Sequence, residues 1–590
     1  MPCTYRTLEA SPPQHTHNSP TKMTNVVLNH AKLGAIRCLR ETKGSIVKIL
    51  GLPYGKVAER FARAELSYKL SDGESIRCHD GVFDATKPGA CSIQPWGSVK
   101  SDAANIPLPT DNLPDDEEQS EDCLNLSIHL PKSCVGESGK IHSDMKLPVL
   151  VFIHGGAYFL GSANRPYYNP ENLVRHAIQR ESPIIFVGIN YRLGALGFWH
   201  SDHAGGMVLE NNGLYDQNTA FEWLRENIEG FGGDVNNVTV IGQSAGSESI
   251  SVQTMRKPLF KRAIMFSGTP VTMPAMTHDE HHDNFLKHAE KLEIRIKESD
   301  GSERDTKAIA RDVIGVDASK IRDLAWVGLP CTNSEFFPFE RPTMDLARKG
   351  KVAPPGWKDW ARPVEAQIVG STTYDGGISY NMMRNDDSRK NHAQAFEQIA
   401  KDVLSPEQGA ELLKIYGIEG GLDDADALQR ICLFESDIGF FAAALSIAEG
   451  DLVKETYFQV FDLPNPFPGP IQEQGAFATH TFDIATLLGG VHEDRLPSHY
   501  RSVVARWRDT ILDFVTRGTP PCAEFVSVDG GRRGLMVDEG GVREVGSEAW
   551  LENDEGRRRR LFDLAQQIDA DTGLDVLWVD VCRRFLMRGK

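Results

Sequence analysis

Runs of apolar residues alternate with amphipathic segments through the first half of the chain. Three runs, at 147–154, 183–190 and 237–242, are rich in Val, Ile and Leu and lack the polar alternation of a half-exposed strand. Residues 213–229, between the last two runs, repeat apolar residues at helical spacing. Buried strands separated by helices are typical of a parallel sheet covered on both faces. The pattern therefore predicts an α/β fold with a large, mostly parallel central sheet flanked by helices.

A change of pattern after residue 277 predicts a helical insertion in this sheet. Residues 277–348 form charged, glycine-poor segments with helical spacing, and strand character returns at 365–370 and 457–461. We interpret the region of about 270–360 as a helical cap rather than a second domain. The organisation that we expect is a flexible tail and first strands over 1–44, followed by one domain over 45–590.

The composition excludes some classes of function. The chain has 590 residues, with 64 Lys and Arg against 82 Asp and Glu, which gives a net charge of −18. Such a charge opposes binding to nucleic acid and to anionic membranes, because both attract positive surfaces. The N-terminal segment lacks the apolar core of a secretory signal, and no run approaches the roughly 18 apolar residues of a membrane span. We therefore expect a cytoplasmic protein with no nucleic acid or membrane partner, and the sequence leaves its oligomeric state open.

Two charged segments resemble binding sites at first sight. The four arginines at 557–560 follow acidic residues, and we interpret them as the solvent-exposed start of a helix. The sequence HDEHH at 278–282, followed by His288, lacks the H-E-x-x-H pattern of zinc hydrolases. We interpret this segment as an exposed cap helix without a metal. The sequence thus predicts no metal site and no requirement for an organic cofactor.

A catalytic nucleophile is indicated by the sequence GQSAG at 242–246, which directly follows the apolar run at 237–242. The pattern G-x-S-x-G is meaningful where a strand turns sharply into a helix, because small residues relieve crowding there and the serine projects above the sheet. By itself the pattern also arises by chance in a chain of this length. Its position after a buried strand favours the catalytic interpretation, and we predict that Ser244 is the nucleophile.

A second glycine-rich turn, HGGAY at 154–158, follows the run at 147–154. Acyl transfer places negative charge on the carbonyl oxygen of the substrate, and a fixed N–H donor aimed at that oxygen lowers the barrier by about 3–4 kcal/mol. We predict that the amides of Gly156 and Ala157 are such donors, together with the amide of Ala245 after the nucleophile. The alternative is a glycine-rich turn without a ligand.

A serine nucleophile needs a histidine that accepts its proton and a carboxylate that holds the imidazole in the right tautomer. Where the serine lies on a strand–turn–helix motif, the chain order is serine, acid, histidine. Asp375 follows the strand-like run at 365–370, and His480 follows the run at 457–461. We therefore predict a catalytic triad of Ser244, Asp375 and His480.

Seven short motifs follow one another along the chain, each occurring once. They are GLPY at 51–54, SEDCLNL at 120–126, HGGAY at 154–158, NYRLGALGF at 190–198, NGLYDQ at 212–217, FGGD at 231–234 and GQSAG at 242–246. In this order they resemble the type B carboxylesterase family, the α/β-hydrolases that include cholinesterases and fungal lipases. The resemblance implies the α/β-hydrolase fold, hydrolysis of esters, and the same residues for the triad and the oxyanion hole.

The sequence departs from the family pattern at two positions. Asp375 stands where similar enzymes usually have Glu, so His480 must approach its strand more closely. Gln243 stands where they often have Glu, which removes a negative charge beside the imidazole. Separately, Cys91 and Cys123 resemble the pair that closes the family's first disulfide loop, and the resemblance leaves open whether they are bonded or reduced.

The leading interpretation is a serine hydrolase that cleaves small-molecule carboxylic esters through an acyl-enzyme intermediate, without a cofactor. Two alternatives stay open. The same triad would serve an acyltransferase or a lactone hydrolase in small-molecule biosynthesis. The fold would also serve a non-catalytic, cholinesterase-like binding protein, although an intact triad argues against that role.

Overall fold

The computed structural model describes residues 22–588, apart from 68–69, 71–76, 257, 325–327, 335, 338–340, 353–363, 451, 470–471, 491 and 527–530. The strands in this part of the chain are β1 (Met23–His30), β2 (Gly34–Glu41), β3 (Ile46–Pro53), β4 (Gly55–Val57), β5 (Ala64–Leu66), β6 (Cys78–His79), β7 (Val82–Asp84), β8 (Asn125–Pro131), β9 (Leu147–Ile153), β10 (Ile185–Ile189), β11 (Gly233–Gln243), β12 (Arg262–Phe266), β13 (Ala366–Thr372), β14 (Glu455–Phe461), β15 (Arg533–Asp538) and β16 (Gly541–Gly546).

Fourteen of these strands form one sheet, and β4 and β5 form a separate hairpin. The order across the sheet is β16-β15-β14-β13-β12-β11-β9-β10-β8-β3-β2-β7-β6, with β1 paired to β2. From β15 to β10 all neighbours are parallel. Antiparallel pairs flank this block, where β16 joins β15 and β8 joins β10. The prediction of a large, mostly parallel sheet is confirmed.

Helices cover this sheet and fill the intervals between its strands. They are α1 (Ser98–Asn105), α2 (Glu171–Gln179), α3 (Gly194–Phe198), α4 (Asn212–Asn227), α5 (Ala245–Thr254), α6 (His278–Lys291), α7 (Thr306–Ile314), α8 (Ala318–Arg322), α9 (Met344–Arg348), α10 (Gly377–Met383), α11 (His392–Val403), α12 (Pro406–Tyr416), α13 (Asp424–Glu435), α14 (Ala442–Glu449), α15 (Phe482–Leu488), α16 (Ser498–Arg517), α17 (Ser547–Leu551), α18 (Asn553–Ile568), α19 (Gly573–Asp575) and α20 (Arg584–Leu586). The helical segment predicted over 277–348 corresponds to α6 through α9.

The central strands are buried on both faces, as their continuous apolar sequence predicts. In β9, Val149, Val151 and Ile153 belong to one hydrophobic cluster, whereas Leu150 and Phe152 belong to another. Successive side chains of a strand point to opposite faces, so these are the two layers between the sheet and its helices. A third and smaller cluster lies beneath the cap helices α6 to α8.

The helical region of α13 and α14 lies in the core, and the prediction that Arg557 and Arg558 are solvent-exposed is wrong. The continuous helical segment 424–449 is long and apolar enough to cross a membrane, but 94% of its apolar window is buried within the protein, which is typical of a core helix. Its Asp437 forms ion pairs at 2.7 Å with Arg557 and Arg558. These two arginines, predicted to be solvent-exposed, are 7% and 1% exposed. The acidic partner lies about 120 residues away in the sequence, so the local pattern could not reveal the pair.

The topology brings the predicted chemical residues to one edge of the sheet. The turn at 154–158 follows β9, Ser244 follows β11, and Asp375 follows β13. Because these strands are parallel, their carboxyl ends meet at the same edge, where open α/β sheets bind ligands. His480 reaches this edge from the connection between β14 and α15, where Thr479 pairs with Tyr374.

Candidate active site

Ser244 lies on a strained turn between β11 and α5, with φ 57° and ψ −129°. A left-handed φ of this kind costs a non-glycine residue about 1–3 kcal/mol, so neighbouring structure must hold it in place. Only glycine fits beside it. A Cβ atom on Gly246 would lie 2.1 Å from the Ile153 carbonyl oxygen, and one on Gly268 would lie 2.1 Å from that of Ser244.

His480 and Asp375 are hydrogen-bonded and buried. The Nδ1 atom of His480 donates to Asp375 Oδ1 at 2.7 Å. The other carboxylate oxygen, Oδ2, accepts the Thr372 amide at 2.9 Å. Asp375 is fully buried and His480 is 5% exposed. A proton fixed on Nδ1 leaves the lone pair on Nε2, which is the arrangement that a general base requires.

Gln243 occupies the space beside the free imidazole nitrogen. Its side-chain nitrogen lies 3.0 Å from His480 Nε2 and 3.3 Å from Nδ1, and its oxygen accepts the Thr481 hydroxyl at 3.0 Å. Ser244 and His480 are both described by the structure, and no direct hydrogen bond joins them. Hydrogen bonds of ligand-free catalytic sites are often long and tighten only when substrate binds. The sequence showed the substitution at Gln243 but not that its amide contacts the imidazole.

The turn after β9 presents unpaired amides near the nucleophile. Gly156 has φ 106°, and Ala157 and Tyr158 have φ 52° and 59°. In the described chain the amides of Gly156 and Ala157 donate to no acceptor. Ala245 is the first residue of α5, and the first amides of a helix have no partner within it. The three amides predicted to form an oxyanion hole are therefore available to a ligand.

A cavity of about 710 Å³ opens beside these groups, and Ala157, Ser244 and His480 line it. Much of its remaining wall consists of methionines, at 273, 276, 382, 383 and 587. Basic side chains, from Lys287, Lys291, Arg341, Arg389 and Arg583, also line it. Methionine is apolar and flexible, so these walls can adapt to apolar groups of different shape.

Two buried acids lie near the triad. Burial, with Asp375 nearby, raises the pKa of Glu435 from its ordinary value of 4.5 to about 8, and its Oε1 accepts the Ser379 hydroxyl at 2.7 Å. Burial and Asp375 also raise the pKa of Asp483 to about 7. Glu435 lines the cavity, and sequence reasoning missed it because no motif surrounds it and the end of α13 reaches the site only through the fold.

We expect Glu435→Gln to make stability less dependent on pH. The raised pKa means that the folded protein holds a proton that the unfolded chain releases near 4.5, so wild-type stability falls as pH rises from about 4.5 to about 8. The glutamine variant would lack this loss, which amounts to a few kcal/mol at about 1.4 kcal/mol per pKa unit. Thermal melting at about pH 5 and pH 9 should show the variant gaining relative to wild type at the higher pH. An equal difference at both values would mean that folding does not raise the pKa of Glu435.

The structure has no bond between the two cysteines whose pairing the family resemblance left open. Cys91 and Cys123 are both free and buried thiols. Burial, with a smaller effect of Glu117, raises the pKa of Cys91 to about 12. The thiolate is the reactive form of cysteine, so this environment disfavours oxidation.

The histidine-rich segment forms α6 as predicted, but the prediction that it is exposed is wrong on one side. His281 and His288 are only 1% and 3% exposed. Their side of the helix also carries Phe285, which packs on Trp199 with ring centroids 5.0 Å apart. The histidines and acidic residues of the sequence conceal this apolar face.

Comparisons with known proteins agree on one relationship. The model of the "Carboxylesterase family" matches residues 29–534. Para-nitrobenzyl esterase of Bacillus subtilis is 36% identical over 235 residues, which span 39% of this chain and 42% of that protein. Lipase 3 of Yarrowia lipolytica is 27% identical over 487 residues, which span 78% and 84%. The solved structure of a thermophilic PNB esterase superposes with a TM-score of 0.66 at 22% identity, covering 91% of this chain and all of that one.

Proposed function

The chain belongs to the carboxylesterase family, and from that premise we propose that it hydrolyses carboxylic esters with Ser244 as nucleophile. The observation that carries the proposal is the 2.7 Å hydrogen bond between His480 and Asp375, formed at the edge of the cavity that Ser244 also lines. This pairing supplies a base with a defined tautomer next to a serine on a strained turn.

In the first half of the reaction, the Ser244 hydroxyl oxygen attacks the ester carbonyl carbon while His480 Nε2 takes the hydroxyl proton. The amide of Gln243 now lies 3.0 Å from that nitrogen, so it has to yield when the serine hydroxyl engages the imidazole. Negative charge on the carbonyl oxygen is stabilised by the amides of Gly156, Ala157 and Ala245. The carbon–oxygen bond to the alcohol then breaks, and His480 returns the proton to the leaving alcohol.

In the second half, water attacks the acyl-serine ester. His480 removes a proton from the water, the oxyanion amides stabilise the second tetrahedral intermediate, and the serine oxygen leaves with that proton. The carboxylic acid is released and Ser244 is regenerated. Asp375 stabilises the charged imidazole in both halves without itself taking the proton.

The cavity favours esters with an apolar acyl or alcohol group. Methionines and Leu329, Phe440 and Trp578 line it, and burial of a methylene contributes about 0.8 kcal/mol. Each methylene added to the substrate should therefore raise kcat/KM roughly fourfold until the cavity is filled. Choice among substrates depends on α6 and α10 in particular, since both helices contribute wall residues.

A panel of p-nitrophenyl esters with increasing acyl length tests this function. We expect release of p-nitrophenol with kcat/KM rising roughly fourfold per methylene and then levelling off. Ser244→Ala protein, purified identically, is the matched blank. Equal release by wild type and blank for every ester would refute the proposed activity, whereas flat dependence on chain length would refute only the apolar-group assignment.

A further inference from the structure

A cluster of metal-ligating side chains lies outside the proposed active site. His200 and Asp202 follow α3, His278 is the first residue of α6, and Cys331 lies where the chain pairs with Met276. One ligand atom from each of His200, His278 and Cys331 lies within 4.8 Å of the other two. These residues come from three separate segments of the chain, and none of them lines the cavity that contains Ser244.

Each of the two imidazoles has one nitrogen near a main-chain carbonyl oxygen outside the cluster and its other nitrogen toward the cluster. His200 Nδ1 lies 2.9 Å from the Val208 carbonyl oxygen, and His278 Nε2 lies 3.4 Å from that of Asn333. A carbonyl oxygen only accepts, so the short contact to Val208 places the proton of a neutral His200 on Nδ1. The lone pair of His200 is then on Nε2, and the nitrogen of His278 that faces it is Nδ1. An outer N–H bound to a carbonyl is also how metal-ligating histidines are commonly oriented.

The inner nitrogens of the two imidazoles face each other and a carboxylate. His200 Nε2 lies 3.1 Å from His278 Nδ1, and the oxygens of Asp202 lie 2.9 Å and 2.8 Å from these two nitrogens. Electron-pair donors at such distances repel unless a proton or a metal ion lies between them. Either a proton on His278 Nδ1 or a metal ion satisfies this arrangement.

The thiol of Cys331 adds a third donor to the cluster and favours the metal ion. The cysteine is fully buried, and its sulfur has only a weak hydrogen bond to the Thr332 carbonyl oxygen at 3.5 Å. Two imidazoles, a thiol and a carboxylate form a mixed nitrogen and sulfur donor set, which favours Zn²⁺ in tetrahedral coordination. The carboxylate of Asp202 is more than half exposed, so the site is open to solvent on one side.

Against the sequence-based expectation of a metal-free cap helix, we propose that His200, His278 and Cys331 bind a zinc ion, with Asp202 as the fourth ligand. On binding, the Cys331 thiol loses its proton to solvent, because the thiolate is the ligating form. The zinc would connect the segment after α3 and the Cys331 segment to the start of α6. Other residues of α6, including Asn284 and Lys287, line the substrate cavity, so the ion would stabilise one wall of that cavity without taking part in the chemistry.

The experiment uses the full chain after treatment with a chelator, and adds Zn²⁺ or Co²⁺ alone. We expect one zinc per chain by elemental analysis, a rise in Tm with added Zn²⁺, and a thiolate-to-metal charge-transfer band in the Co²⁺ form. His278→Ala should weaken zinc binding by at least ~100-fold, since loss of even an outer-shell partner costs ~10–100-fold. Cys331→Ser should abolish the charge-transfer band.

His282→Ala is the matched control, because His282 lies on the same helix but bonds to the Ser201 hydroxyl at 2.9 Å instead of facing the cluster. It should bind zinc as wild type does. Far-UV circular dichroism confirms that each variant is folded, and His278→Ala is the decisive one because its side chain is 28% exposed. Wild type that binds no added zinc, or equal zinc binding by wild type and His278→Ala, would overturn the proposal.

Discussion

Ser244→Ala should lower kcat for p-nitrophenyl esters by about 10⁶-fold, the scale of loss seen when the nucleophile of a serine protease is removed. The reason is that the acyl-enzyme cannot form, and the remaining groups act only on attack by water. Stopped-time assays with concentrated protein can measure the residual rate. KM should change little, because the methyl group of alanine fits the space that the serine occupies.

A phosphonate probe provides the positive test of the same residue. It mimics the tetrahedral intermediate and should label Ser244 in equimolar amount, as peptide mapping would show. Ser247→Ala is the matched control, since Ser247 lies on the same helix and donates to the Gly268 carbonyl oxygen at 2.6 Å. Its activity should stay near that of wild type. Labelling of Ser247 or Ser267 in place of Ser244 would reject the nucleophile assignment.

The sequence predicted the parts of the site that local structure determines. The turn at Ser244 has a local sequence pattern, a buried strand followed by small residues. The glycines at 242 and 246 show close main-chain contacts in the structure. The α/β-hydrolase fold and family membership are confirmed by the family match and the solved esterase structures. His480 has no such local signal, and it was predicted from chain order and from the resemblance to a family.

The sequence could not show contacts that arise only when distant segments fold together. The pairing of Asp437 with two arginines of α18, the burial of His281 and the approach of Glu435 to the site all depend on side chains far apart in the sequence. In each case the residue is polar, and polarity alone predicts exposure. The burial of these side chains depends on neighbours that only the folded chain brings together.

The second large effect is expected at the acid. Asp375→Asn should lower kcat by ~10⁴-fold, because an amide in place of the carboxylate favours the wrong tautomer of His480 and does not stabilise its charged form. The side chain keeps its volume, so the fold should be intact. The Thr372 amide would still find an acceptor in the side-chain oxygen of the introduced asparagine. Steady-state kinetics with a saturating p-nitrophenyl ester measure the loss.

Asp375→Glu separates geometry from charge. Related enzymes usually have Glu here, but Asp375 is fully buried and already lies 2.7 Å from the imidazole. The extra methylene must displace His480 or the strand end, and a displacement of about 1 Å in a packed site can lose ~10²-fold in rate. We therefore expect Asp375→Glu to retain more activity than Asp375→Asn and less than wild type.

Asp483→Asn is the control for both variants, because Asp483 is a second buried carboxyl beside the triad. Its Oδ1 accepts the Ile484 amide at 2.7 Å, and it makes no hydrogen bond to His480. Its pKa of about 7, raised by burial and by Asp375, means that the neutral form is well populated near neutrality, so asparagine reproduces a state that the site already contains. Activity of Asp483→Asn should remain within a few-fold of wild type. If this variant collapsed while Asp375→Asn stayed active, Asp483 would be the acid of the triad, since only the carboxylate that orients the imidazole is needed at every turnover.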